Sequence, residues 1–433
     1  MRFAKPEMKR GFVSYLRLIC KKCNYLHVMK TCERRSDQFD LNYESVLGSM
    51  LIGIGFSQLE EFTGVLDIPY ITSSSYRKKA NKIYDDLSSA AEASTRLVAE
   101  AEIEFALKNG NVDTSGNPKV TGIVDAAWSK RSYRTNYSAL SGSAGLIGHS
   151  TGKVLWQGVA NKFCCVCKYI STNGKEHYDH ECNINYVGPS TGMEPKLVVD
   201  GLKECEQKFG IRIHRLIGDG DSSVISEVLK SNIYQNPSLK TDKIECSNHV
   251  EQNTRGHLRK LGEKSPLKQY VTPGKIEKII KAMRCARKHW NEQDIPIETK
   301  IENLRKDIYN APFHVFGSHE KCNSYFCKKK DSKERNLLTV MKKDSTFNSI
   351  LEAMSRVRSN ARSYLLNENT NIAEQFNGLI VKYTGGKRVN FSKSKSFTGR
   401  SKLAVLQHWT GIFNSVRTYV QNSQPDTSKK LSP

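Results

Sequence analysis

From residue 41 the apolar positions follow a helical period. NYESVLGSMLIGIGFSQLEEFTGVL repeats them at i, i+3 and i+4. SSYRKKANKIYDDLSSAAEASTRLVAEAEIEFALKNG predicts one long amphipathic helix stopped by Asn-Gly, and NVDTSGNP is a turn-rich boundary. The period then changes. KVTGIVDAAW, YSALSGSAGLIGH and KVLWQGVANKFC predict three successive strands in antiparallel hairpins. MEPKLVVDGLKECEQKFG predicts a helix leading into IRIHRLIGD as a fourth strand, and TDKIECSNHV a short fifth. Between them DSSVISEVLKSN predicts a helix with Asp221 or Ser222 as N-cap. Residues 250–365 read as mainly helical and basic, NTNIAEQFNGLIVK as a further helix, residues 385–400 as a basic loop, and QNSQPDTSKKLSP as a disordered tail. There is no internal repeat.

The order β-β-β-α-β-α-β, then a long helical insertion and an acidic helix, predicts an α/β ribonuclease-H-like core. The expected division is a basic segment with a partial Cys cluster at 1–40, a helical domain at 41–115, and the α/β core at 116–400. That core carries a Cys/His insertion at 164–182 and a helical insertion at 250–365. A C-terminal helix and tail complete the chain at 401–433.

Charge narrows the choice of partner. Lys and Arg number 67 against 44 Asp and Glu, a net charge of +23 that suits a polyanion such as nucleic acid. A plain basic protein or ribosome-associated factor is the blander account. No window holds the roughly 18 uncharged apolar residues of a membrane span; SVLGSMLIGIGF, residues 45–56, is too short and reads as a buried helix. The first residues, MRFAKPEMKRGF, lack the apolar stretch of a signal peptide. An intracellular protein is expected, and a nuclear one if it acts on eukaryotic DNA, although CKKK and GGKR are weak localisation signals. The twelve cysteines mostly cluster with His at short spacings, which favours metal binding over disulfides.

Three acids carry the candidate chemistry. Asp125 lies in a β-rich apolar run, Asp219 at the end of a strand-like run closed by Gly-Asp-Gly-Asp, and Glu374 on a predicted helix. Carboxylates so placed suit Mg²⁺ or Mn²⁺, and a two-metal centre cuts phosphodiesters. Ordinary surface acids are the competing account. Asp221 is a rival ligand better read as a helix cap, and Glu194 a rival better read as a helix start.

Soft ligands form separate sets. Cys164-x2-Cys167-x12-His180-x-Cys182 supplies four N/S ligands for a closed zinc site, with Cys165 and His177 as alternates. Cys246-x2-His249 is half a site, and either that set or His319-x2-Cys322-x4-Cys327 is a candidate to complete it. By spacing alone, zinc and buried thiols are evenly matched for these last two. Cys20, Cys23 and Cys32, with His27 between, lack a clear fourth ligand. The stretch GGKRVNFSKSKSFTGR offers Lys387, Arg388, Lys393, Lys395 and Arg400 to phosphates and Phe391 and Phe397 to bases. Lys130 and Arg131, just after Trp128, are similar in kind. A solvated basic loop is the alternative.

VDAAWSKRSY, NKFCCVC with HECNINYVGPSTGME, LIGDGDSSV, KIECSNHVEQN, HEKCNSYFC and NIAEQFNGLIVKYTGGKRVNFS occur in this order. Over about residues 40–400 the chain thereby resembles Mutator-like transposases of the insect and cnidarian type. The resemblance implies a DDE catalytic domain of ribonuclease-H-like fold. Asp125 and Asp219 match its first two acids, Glu374 the acid of its A-E-x-x-N pattern, and Cys246 and His249 its CxxH. It implies two Mg²⁺ ions, cleavage at transposon ends, strand transfer into target DNA, and self-association. Two other classes compete: a non-catalytic, host-captured or truncated DNA-binding derivative, and a basic zinc protein binding RNA or proteins. Three carboxylates facing DNA would repel phosphate unless metal neutralised them, which favours the enzyme. No RNA-recognition motif supports the last.

Overall fold

A computed structural model describes residues 2–32, 41–129, 139–220, 222–234, 240–265, 267–327, 335–343, 346–387 and 389–410. In chain order it begins with β1 (Arg2–Arg10), β2 (Val13–Ile19) and β3 (Leu26–Lys30), an antiparallel sheet in sequence order. The sequence predicted only a basic segment here. Its strands bury almost nothing, with β3 exposed throughout, so no alternation marks them. The β1–β2 turn is held by Asn42, which accepts from the Phe12 N–H at 2.9 Å and donates to the Arg10 carbonyl at 3.0 Å.

The stretch of helical period from residue 41 forms two helices, α1 (Leu41–Leu51) and α2 (Phe56–Val65). The break is Gly53 at φ +78°, where a Cβ would lie 2.3 Å from the Lys382 carbonyl oxygen. α3 (Ser73–Lys108) starts at Thr72, whose side chain accepts from the Ser75 N–H, and ends at Asn109 and Gly110 as the sequence predicts. β4 (Lys119–Trp128), β5 (Ser141–Gly148) and β6 (Val154–Asn161) form the predicted antiparallel meander. α4 (Cys165–Thr172) and α5 (Met193–Phe209) follow. Then come β7 (Arg212–Gly218), α6 (Ser222–Lys230) and β8 (Asp242–Glu245), with β7 and β8 parallel. The helical stretch comprises α7 (Ser247–Gly262), α8 (Pro273–Glu292), α9 (Ile297–Val315), α10 (Leu338–Lys343), α11 (Thr346–Ala353), α12 (Ser355–Ser359) and α13 (Ala361–Leu366). α14 (Asn371–Tyr383) and α15 (Ser396–Thr410) end the described fold. No described helix is long and apolar enough to cross a membrane. The tail from 411 and the Asp221 cap lie outside the described residues.

The chain divides into two compact units. The first comprises Met1–Ile213, Ser226–Leu239 and Ile372–Pro433; the second, His214–Ile225 and Lys240–Asn371. In the first, β5 is buried along its whole length, packed against α3 and α5, and α15 lies along α3. In the second, Leu258, Ile280, Met283, Leu304, Ile308, Met341 and Ile350 form the core of a helical bundle. A deeply buried acid there is well satisfied: Glu251 accepts from Arg284 at 2.6 Å and from the Tyr364 hydroxyl at 3.0 Å, with Arg287 at 3.4 Å. Removing any one partner would cost more than an exposed pair is worth.

Residues 385–400 are not the predicted loop. Residues 385–387 and 391–393 form short helical turns and 396–400 start α15, with Phe397 and Arg400 buried. Arg400 donates to the carbonyls of Ile54 at 2.6 Å, Tyr383 at 2.8 Å and Met50 at 3.5 Å, and lies 4.0 Å from the Phe391 ring centre. The expectation of a DNA contact is therefore corrected for Arg400, and stacking on bases for Phe397. Helix ends and turns leave carbonyls without helical partners, and guanidinium supplies five donors in one plane. Arg400→Leu is expected to destabilise the protein by about 3 kcal/mol or more. A urea midpoint equal to wild type, with the same slope, would contradict this packing role.

Candidate functional site

Asp125 lies half-buried on β4, directly across from Gly145 of β5. Its Oδ1 accepts from the Ala126 N–H at 2.9 Å, and its Oδ2 from the Asn377 side-chain amide at 2.9 Å. Asn377 is on α14, three residues after Glu374, so both project from one helix face. The approach of α14 depends on Gly145: a Cβ there would lie 2.6 Å from Phe376 Cε1. The sequence contained Asn377 and Gly145 but assigned neither a role. The Glu–Asn spacing of one helical turn was the available signal for the first, and nothing local marks the second. Gly145→Ala is expected to push α14 off the sheet and cost about 1–3 kcal/mol. An unfolding midpoint unchanged from wild type would mean that Phe376 moves aside freely.

Asp219 follows the last residue of β7 and belongs to the second unit. It pairs there with His249 Nδ1. The hydrogen bond to Asp219, helped by the Cys246 thiol, pushes the His249 ring up to about 10, so the ring is charged at neutral pH. Burial pushes the Cys246 thiol up, but hydrogen bonds with His249 and Thr370 outweigh it and bring the thiol down to about 7. Cys246 caps α7 and stands 3.4 Å from the Thr370 hydroxyl. The turn after Asp219 is anchored by Arg356, which donates to the Gly220 carbonyl at 2.7 Å.

The soft ligands separate differently from either expected combination. Cys164, Cys167, His180 and Cys182 form one group able to hold a metal such as zinc. His180 Nε2 is 3.4 Å from Cys164 Sγ and 3.3 Å from Cys167 Sγ, and the thiols of Cys167 and Cys182 are 3.5 Å apart. These match the edges of a zinc tetrahedron, roughly 3.5 Å for N–S and 3.8 Å for S–S from the usual bond lengths. His180 Nδ1 faces the Tyr178 carbonyl at 3.1 Å, which fixes its proton there and aims Nε2 at the thiols. Against the upward push of burial, hydrogen bonds from the Asn183, Cys167 and Val166 backbone and from His180 bring the Cys164 thiol down to about 6. The alternates stand outside: Cys165 is directed to the Lys393 carbonyl at 3.1 Å, and His177 only packs beside His180.

His319, Cys322 and Cys327 cluster with His314, which the sequence reading did not include. Neither group contains Cys246 or His249, which corrects the expectation that those two share zinc with one of them. Each group is already complete, and His249 is engaged with Asp219. Among the proposed phosphate contacts, Lys393 is exposed. Lys395 is ion-paired with Glu181 and lies 3.7 Å from Asp85. Lys130, Arg131 and Arg388 lie outside the described residues, as does the side chain of Lys387. Glu194 lies in the first turn of α5, the helix start expected of it.

Together these features define a basic, mixed α/β protein with Cys/His groups of metal-binding geometry. The Mutator-like transposase family profile matches residues 2–327, three quarters of the chain, and the chain belongs to that family. No curated protein sequence matches it. Membership carries the general expectation of transposase activity on DNA. The match includes the N-terminal sheet, Asp125, Asp219 and both Cys/His groups, and stops before Glu374.

Proposed function

We propose that this chain is a DDE-type Mutator-like transposase that cuts DNA at transposon ends and joins the freed ends to target DNA. Asp125, Asp219 and Glu374 are its acidic triad, on a ribonuclease-H-like arrangement of strands. The observation that carries the reading is the Asn377 amide on Asp125, which ties the Glu374 helix to the Asp125 strand. Beside Asp125, the Asn377 Oδ1 is buried with no hydrogen-bond partner among the described residues. A hard oxygen donor next to carboxylates suits Mg²⁺ or Mn²⁺ better than a soft metal. Bound there, such ions lower the pKa of a nucleophilic water or 3′-hydroxyl and stabilise the leaving oxygen.

The chain's own residues do the positioning. Asn377 and the Ala126 N–H fix both oxygens of Asp125. Charged His249 holds Asp219 in place. Arg356 steadies the backbone beside it. Lys393, Lys387, Arg388, Lys130 and Arg131 are the proposed phosphate contacts, and zinc at Cys164, Cys167, His180 and Cys182 is structural. Nuclear localisation and self-association belong to the same proposal.

The test is a cleavage and strand-transfer assay of the full chain on duplex carrying the element's terminal repeats, with Mg²⁺, Mn²⁺ or EDTA. Metal-dependent nicks and joined products are expected. Binding without products under every condition would instead favour a captured or truncated DNA-binding derivative.

A further inference from the structure

We infer that the helical unit carries its own structural zinc ion, bound by His314, His319, Cys322 and Cys327. The proposal is independent of the catalytic reading and of the 164–182 group, which lies in the other unit.

The ligands come from the end of one helix and the segment that follows it. His314 is in the last turn of α9, and the other three follow in the segment after Gly317, which turns the chain at φ +94°. A Cβ on Gly317 would meet the Arg335 carbonyl oxygen at 2.6 Å, so the turn has no room for another residue. The chain therefore doubles back, and His319, Cys322 and Cys327 return toward His314.

The four ligand atoms converge on one point. His319 Nδ1 lies 3.1 Å from His314 Nδ1, 3.5 Å from Cys327 Sγ and 3.9 Å from Cys322 Sγ, and His314 Nδ1 is 3.3 Å from Cys322 Sγ. A tetrahedral zinc with the usual Zn–N and Zn–S lengths has edges of about 3.3 Å for N–N and about 3.5 Å for N–S. Hydrogen bonding alone accounts poorly for this arrangement. One imidazole nitrogen has either one proton or one lone pair, and His319 Nδ1 faces three other ligand atoms at once. A single cation at the centre satisfies all four. An N₂S₂ set in tetrahedral disposition selects Zn²⁺ over Mg²⁺ or Ca²⁺. His319, Cys322 and Cys327 are buried, so a closed structural site follows rather than a catalytic one with an open position.

The surroundings give the ion its task. Asp307 accepts from Trp290 Nε1 at 2.7 Å, Asn323 Nδ2 at 2.7 Å and the Tyr325 hydroxyl at 2.6 Å. Tyr325 stacks on His289 with centroids 3.8 Å apart. These contacts lay the segment against α8 and α9, and zinc would close its two ends onto the C-terminus of α9. Short irregular segments bury little apolar surface, so a metal crosslink is what holds such a loop in register.

The experiment is metal analysis of the purified full chain, with zinc X-ray absorption as a second readout. Wild type is expected to hold two zinc ions per chain. Cys167→Ser/Cys182→Ser should hold one, with a first shell of two nitrogens and two sulfurs. His314→Ala should also fall to one, and His314→Cys should return to two. One zinc in wild type, all of it lost in Cys167→Ser/Cys182→Ser, would overturn the proposal. Two zinc ions in His314→Ala would overturn His314 as the fourth ligand. If a variant fails to fold, wild-type stoichiometry and its absorption spectrum still decide. The mixture of an S₃N and an S₂N₂ site differs from a single S₃N site.

Discussion

Asp125→Asn is expected to lower metal-dependent strand cleavage roughly a thousandfold or more, with DNA binding equal to or tighter than wild type. Asparagine keeps the size of the carboxylate but only one of its two acceptor oxygens, and it lacks the charge that a divalent cation needs. Its own amide must place either an N–H or a carbonyl toward Asn377, so that contact survives in one orientation. Asp219→Asn and Glu374→Gln should fall by similar factors, because residues acting as one unit are not additive. Binding is expected to hold or improve, since each change removes a negative charge facing phosphate. The measurement is single-turnover cleavage beside a filter or anisotropy binding curve. A variant that still cuts at the wild-type rate removes that acid from the site. The Asp219 variant tests one thing more. It deprives His249 of the partner that keeps its ring charged, so it should also bring the His249 titration, followed by NMR, back toward the ordinary imidazole range.

Loss of the 164–182 metal should produce the second large effect. Cys167→Ser, or chelation of wild type, is expected to speed amide exchange across residues 164–182 at least about tenfold, while β4–β6 keep their protection. α4 has only eight residues and buries only Ile170, too little to hold a helix in water by itself. The segment that follows, up to residue 189, has no helix or strand. Its far end is fastened independently, by Asn185 and Tyr186 bonding to the Asn161 carbonyl. Melting should therefore stop at those anchors. Unchanged exchange in a chain shown to have lost this zinc would mean that hydrogen bonds, not metal, hold the loop.

Much of the fold is legible in the sequence. The long α3, the β4–β6 meander, α5 and the helical stretch after β8 follow from periodicity and stop signals, because these are properties of adjacent residues. The 164–182 group was legible too, since its four ligands lie within nineteen residues of one another. The N-terminal sheet was missed for a matching reason. β3 is exposed throughout and β2 half-buried at all but one position, so neither carries an alternation to read.

What tertiary structure decided is every role that depends on a distant partner. Arg400 reads as a basic loop residue, yet it is buried because carbonyls some 350 residues earlier accept from its guanidinium. Lys395 is an ion-pair partner of Glu181 for the same kind of reason. His314 joins a Cys/His group only because Gly317 turns the chain back on itself. Asn377 reaches Asp125 across 252 positions only because Gly145 lacks a side chain. The sequence by itself determined the elements, the charge and the ligand types, since local spacing and side-chain chemistry suffice for those. Which side chains meet was decided by close packing, in which one missing Cβ or one orphan carbonyl selects a neighbour that no local pattern encodes.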